Sequence, residues 1–124
     1  MDFKKLPRFD VQIHIGAKVG YTDTTISEEQ VLKYCQMFCD TNCVGVTVTR
    51  TNFVYPNGNE PGYIVGLINY PRFPVYDFVV FDMSFDFAQH LMQAMEQFRC
   101  TIFTPTEILV LENKFITEEM GEDL

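Results

Sequence analysis

Tryptophan is absent from these 124 residues, and cations are scarce: nine Lys and Arg against seventeen Asp and Glu, a formal net charge of −8. General affinity for nucleic acid is thereby excluded, because it needs Lys and Arg to displace counterions from phosphate. No apolar run reaches the ~18–20 residues of a membrane span. Met1-Asp-Phe-Lys-Lys-Leu-Pro-Arg8 holds no hydrophobic signal core, so a cytoplasmic protein is expected. A P-loop, a Gly-x-Gly-x-x-Gly turn and a Ser-His-Asp arrangement are all missing, which argues against classical nucleotide hydrolysis and nucleophilic hydrolysis. Cys35, Cys39 and Cys43 stand four apart, and Cys100 with His14 or His90 makes a poor second half of a zinc knuckle. Reduced thiols, no metal and no cofactor are expected. Internal repeats and low-complexity linkers are also lacking.

What is present describes an ordered globular chain: 47% apolar, 15% aromatic and 21% charged. One domain over 1–124 is expected, with its core at about 10–112 and an acidic tail at 113–124. Glu112, Glu118, Glu119, Glu122 and Asp123 concentrate negative charge at that end, and the remaining acids are too scattered for mimicry of DNA. Twelve Phe and six Tyr are enough to cover an intersubunit surface as well as a core.

Val11-Gln-Ile-His-Ile-Gly-Ala-Lys-Val19 alternates at period two, the mark of a half-buried strand. Ser27-Glu-Glu-Gln30 reads as a capping box opening a helix to about Asp40, with Val31, Cys35, Phe38 and Cys39 at helical spacing. Val44 to Arg50 and Tyr63 to Asn69 read as the second and third strands. Residues 75–83 fit either a short strand or a buried loop. Asp82 or Ser84 then caps a second helix to about Phe98, with Phe87, Leu91, Met95 and Phe98 as its stripe. Cys100–Thr104 is the fourth strand, and Glu107–Leu111 a fifth after Pro105. The order βαββαβ predicts an α+β, ferredoxin-like antiparallel sheet with two helices on one face. Both parities of the third strand are apolar, so the other face is expected to be covered by an oligomeric partner.

Between strands two and three lies Tyr55-Pro-Asn-Gly-Asn-Glu60-Pro-Gly-Tyr63, read as a loop with more functional groups than a turn needs. Asn69-Tyr-Pro-Arg-Phe-Pro74 comes next as a second polar, proline-marked cluster. Glu60 suits a ribose hydroxyl, an exocyclic amine or a sulfonium cation, or service as a base; the alternative is a solvated loop acid. Tyr55 and Tyr63 offer ring faces to a base, although packing also accounts for Tyr63. Asn57 and Asn69 supply amides. Arg72 is the leading anion candidate because a guanidinium offers a fixed fork for phosphate, with Arg50 and Lys18 as further candidates. Tyr21 and Thr22 fall near the N-terminus of the first helix, a natural place for an anion, or serve only the turn. His14 reads as a packing residue and His90 as exposed.

The strand–helix pattern, with Gly45-Val-Thr-Val-Thr49 leading into a Tyr- and Gly-bearing segment, resembles the PII/CutA-like group of trimers over roughly residues 10–112. Asn52-Phe-Val-Tyr-Pro-Asn-Gly58 is similar to the loop of the cyclic-di-AMP-binding branch, and phage-type S-adenosylmethionine lyases are a further branch. The resemblance implies a homotrimer that binds or sequesters a nucleotide-like small molecule at intersubunit clefts, as a phage-type sponge in a host cytoplasm would. The alternative it implies is a lyase with Tyr55 and Glu60 near the sulfonium.

Overall fold

Val11, Ile13 and Ile15 are solvent-free, whereas Gln12, His14 and Gly16 between them are not. That alternation gives β1 (Asp10–Gly16) a buried side and an open side. The computed structural model describes residues 1–6, 8–20, 22–69 and 75–113. Its elements run β1, α1 (Glu28–Asn42), β2 (Val46–Tyr55), β3 (Gly58–Ile68), α2 (Asp77–Ala94), β4 (Arg99–Phe103) and β5 (Ile108–Glu112). The five strands form one antiparallel sheet in the order β2-β3-β1-β4-β5. This is the α+β, ferredoxin-like arrangement expected from the element order.

One sheet face carries the core. Val11, Ile13 and Ile15 meet Tyr63, Val65 and Leu67 of β3 and Ile102 of β4. From above, α1 contributes Val31 and Cys35, and α2 contributes Val80, Phe87 and Leu91. Each such side chain removed from water stabilises by about 1.5–3 kcal/mol. Phe38 and Phe87 stack across the helix pair, centroids 4.0 Å apart. Both halves of the capping box form, with Gln30 N–H donating to Ser27 Oγ at 3.2 Å and Ser27 N–H donating to Gln30 Oε1 at 3.2 Å.

Several boundaries differ from the sequence reading. β1 stops at Gly16, and only an isolated Lys18–Thr25 bridge continues it. α1 runs on to Asn42, and β2 starts at Val46 instead of Val44. Residues 77–83 are neither strand nor loop: α2 begins at Asp77, so neither Asp82 nor Ser84 caps it. Ser84 lies fully buried inside the helix, its hydroxyl donating to Phe81 O at 2.6 Å. Tertiary burial of Val80 against the sheet outweighs the strand preference of the Phe78–Phe81 run. The largest difference is the expected loop at 55–63. β2 and β3 pair from Val46↔Leu67 to Tyr55↔Gly58, leaving Pro56 and Asn57 as the turn, with Asn57 at φ 65°. Asparagine tolerates that left-handed geometry.

The chain leaves α2 through a tight backbone turn. Met95 is the C-cap, Glu96 takes φ 52°, Glu96 N–H donates to Gln93 O at 3.3 Å, and Gln97 N–H donates to Met92 O at 2.8 Å. These are the two bonds of a Schellman motif, which usually places glycine where Glu96 stands. Glu96→Gly therefore raises stability by about 1 kcal/mol, read as a higher denaturant midpoint with unchanged slope.

Candidate functional site

The open sheet face is built from the residues that alternate with the core. Registers place Gly16 opposite Gly62, His14 opposite Ile64, and Gln12 opposite Gly66. On the neighbouring pair, Phe53 faces Glu60 and Tyr55 faces Gly58. Tyr55, Phe53, Glu60, Gly62, Gly16 and His14 thus share one face, running from the hairpin tip to the middle of the sheet.

The glycines are spaces that side chains fill. A Cβ on Gly62 would overlap Phe53 Cε2 and lie 2.6 Å from the carbonyl oxygen of Ile15. A Cβ on Gly58 would lie 2.6 Å from the ring of Tyr55. The two rings lie down on the strand, and each needs glycine beneath it. Gly16 differs, because a Cβ there would stand 3.0 Å from Gln97 Oε1 and 3.7 Å from Glu60 Oε2. Gln97 Nε2 donates to Lys18 O at 2.5 Å and to Met95 O at 2.9 Å, so the amide is anchored with its oxygen towards Gly16. Farther along, the His14 ring lies 5.8 Å from Phe53 and 4.4 Å from Phe103 by centroid, with its Nε2 3.2 Å from Gln12 Oε1. Arg99 and Glu112 form an ion pair at 3.7 Å on this face.

The candidate residues divide by position. Tyr55 and Asn57 stand at the exposed hairpin tip, and Glu60 is half-buried on the open face. Tyr63 lies on the opposite face, 2% exposed, its hydroxyl donating to Ile26 O at 2.8 Å, so its place is in the core. Arg50 is opposite Tyr63 in the ladder and shares that side, away from Glu60. Lys18 contributes its carbonyl oxygen to hold Gln97. The Thr22 hydroxyl donates to Val19 O at 2.6 Å and accepts from Thr24 N–H at 3.2 Å within its own turn.

Asn69 clamps the start of the next segment, donating to Val75 O at 2.5 Å and accepting from Val75 N–H at 2.9 Å. It lies past the far end of β3, whose eleven residues span roughly 35 Å. Asn69 therefore cannot face Tyr55 within one chain. Tyr21 and Arg72 lie outside the described residues, as do residues 114–124 of the acidic tail. Sequence reading missed Gly16, Phe53 and Gln97 as site residues. The Tyr- and Gly-bearing pattern signalled the hairpin, but nothing local marks Gln97.

Elsewhere, a cleft of about 560 Å³ lies beside Cys39, Cys43 and Asn69, and an apolar groove of about 270 Å³ runs between α1 and α2. Burial pushes the Cys35 and Cys100 thiols up to about 12, so they are protonated core groups and not nucleophiles. Among the described residues no three His, Cys, Asp or Glu side chains gather as a metal set.

No family model matches the chain, and no curated protein matches it. Among solved structures, a phage SAM lyase in complex with S-methyl-5'-thioadenosine superposes with a TM-score of 0.72 at 12% identity, covering 93% of this chain and 98% of the other. A phage SAM lyase in its apo state gives 0.72 at 13% identity, over 92% and 98%. The chain shares the phage SAM lyase fold. At such identity the likeness establishes the fold and leaves the residues to be argued from this chain.

His14 gives the site a pH signature. Partial burial lowers its pKa below the ordinary 6.5, so the unfolded chain takes up the proton first. Stability is full above about pH 6.5 and falls as pH drops from there towards the folded-state value. Unfolding midpoints measured between pH 7.5 and 5 will decline for the native protein, and His14→Gln will lose that component of the decline.

Proposed function

We propose that this chain binds S-adenosylmethionine on the open sheet face and cleaves it as a lyase, with a neighbouring copy of the chain closing the cleft. The observation that carries this reading is the Glu60 carboxylate beside the Gly16–Gly62 pair, a site that accepts cations. Phosphate ligands need the reverse polarity. Arg50 is on the other face, and Arg99 is already paired with Glu112. An overall charge of −8 likewise draws in a sulfonium–ammonium ligand and repels a polyphosphate. The shared fold with phage SAM lyase, along nearly the whole of both chains, supports the same assignment.

The second copy is inferred from what the face exposes. Phe53, His14, Phe103 and Ile64 are only partly covered, and Ile108 and Val110 on the outer strand are 64% and 59% exposed. A homotrimer that covers this surface, as the PII-like resemblance implies, would supply the second wall of the cleft.

The chemistry needs no metal and no external nucleophile. The ligand's own carboxylate oxygen attacks its Cγ, the Cγ–S bond breaks, and the electron pair passes to sulfur. The products are methylthioadenosine and homoserine lactone, with no proton transferred. A positive sulfonium and a negative carboxylate discharge each other, so the protein's contribution is to fold the methionine chain into line and keep water out. Tyr55 and Phe53 present ring faces for the adenine, and Glu60 anchors the cationic end. Binding without turnover uses the same geometry: a Glu60 carboxylate beside the glycine pair also suits a protein that sequesters a nucleotide-like ligand.

Incubation of the pure protein with S-adenosylmethionine, followed by mass spectrometry, separates the readings. Methylthioadenosine plus homoserine lactone is expected, and Glu60→Gln should lower kcat/KM by a factor of about ten or more, on the scale of a lost charge-assisted contact. Recovery of intact ligand bound to the protein would leave sequestration as the function. Failure to bind S-adenosylmethionine would exclude both.

A further inference from the structure

The Gln97 side chain has no part in the lyase chemistry, yet its amide is held more firmly than any other on the open face. Its Nε2 is spent on two backbone carbonyls, Lys18 O just beyond β1 and Met95 O at the C-cap of α2. The Schellman motif at Glu96 fixes the backbone of Gln97 through its bond to Met92 O. Its Oε1 is therefore presented in a set direction, over Gly16. The Glu60 carboxylate approaches the same point from β3: the position a Gly16 side chain would take lies 3.0 Å from one oxygen and 3.7 Å from the other. No cation is paired with Glu60 among the described residues, whose ion pairs are Arg8–Asp10 and Arg99–Glu112.

We propose that Glu60 and Gln97 form a two-acceptor cradle over Gly16 that receives a primary ammonium group, the α-amino group of an amino-acid-bearing nucleoside. The assignment rests on the S-adenosylmethionine reading and specifies which part of that ligand meets Glu60. An ammonium carries three N–H donors and full charge, matching one carboxylate and one neutral carbonyl at a shared point. A sulfonium has no N–H and would leave Gln97 Oε1 unused. A ribose hydroxyl has a single donor and no charge to set against Glu60.

Reaction chemistry favours the same placement. In the lactone-forming step the sulfonium loses its charge, so a carboxylate held against it would stabilise the reactant more than the transition state. The ammonium keeps its charge throughout, and binding it costs nothing in rate. Gly16 is then required because a methyl group there would press on Gln97 Oε1 and crowd the approach to both acceptors.

Three ligands resolve the groups. S-adenosylmethionine carries sulfonium and ammonium, S-adenosylhomocysteine carries ammonium without sulfonium, and methylthioadenosine carries neither. Calorimetric titrations would compare the native chain with Gly16→Ala, Glu60→Gln and Gln97→Met, each checked by thermal melting. Gly16→Ala leaves both Gln97 anchoring bonds available and so keeps the test valid if Gln97→Met fails to fold. The cradle predicts at least a tenfold weaker Kd for S-adenosylhomocysteine in every folded variant, with methylthioadenosine within about twofold of native. Equal losses for methylthioadenosine would place these residues at the nucleoside and overturn the proposal. So would unchanged S-adenosylhomocysteine binding in Gly16→Ala and Glu60→Gln, including the case where only S-adenosylmethionine weakens. A native chain that binds none of the three overturns the underlying lyase reading itself, whatever the variants do.

Discussion

The alternation of β1 is the constraint on which the rest depends. Val11, Ile13 and Ile15 are committed to the core beneath the helices, so Gln12, His14 and Gly16 must emerge on the other face. A one-residue slip would exchange the two sets and bury a histidine and a glutamine where isoleucines now pack. With β1 locked, its ladders to β3 and β4 set the positions of Gly62 opposite Gly16 and of Thr101 opposite His14. The β2–β3 ladder then brings Phe53 across from Glu60. The candidate site is thus a by-product of register: packing on one face dictates which functional groups meet on the other.

Much of this fold is legible in the sequence. The period-two run at 11–15, the Ser27–Gln30 capping box and the helical stripe of Phe87, Leu91 and Met95 each rest on local pattern, and each has its counterpart in the fold. The hairpin is hard to read for a physical reason. Gly58, Pro61 and Gly62 look like turn residues, but two of them are strand glycines that make room for aromatic rings. Pro61 lies just beyond the last β1–β3 pair, Gly16↔Gly62, where a missing N–H breaks no bond to β1. The start of α2 is hidden because Phe78–Phe81 suits a strand by composition, and only its packing on the sheet makes it helical. Gln97 is not legible at all, since its role depends on a helix ending in a left-handed glutamate and on a carbonyl seventy-nine residues away in the chain.

Electrostatics narrows the ligand more than shape does. The sequence offers Arg72, Arg50 and Lys18 as anion-binding groups beside Glu60. In the fold, Arg50 is turned to the helix face and the Lys18 backbone serves as an anchor for Gln97. Arg72 lies outside the described residues, and among those described the groups placed nearest Gly16, Gln97 Oε1 and Glu60 Oε2, are acceptors, with aromatic rings alongside. Such a surface suits the proposed ligand, a cation attached to a flat ring system. The likeness to phage SAM lyase is one of fold, and the proposal to place the ligand here instead of in the apolar groove between α1 and α2 rests on the residues of this chain.

The central claim is that the open sheet face around Gly16 and Gly62 is the ligand site. A crystal structure of the protein with S-adenosylhomocysteine tests it most directly. The ligand's ammonium is expected within hydrogen-bonding distance of Glu60 and Gln97, its adenine against Tyr55 or Phe53, and a second copy of the chain over it. Density for the ligand between α1 and α2, or beside Cys39 and Asn69, with the Gly16–Gly62 face unoccupied, would contradict that claim.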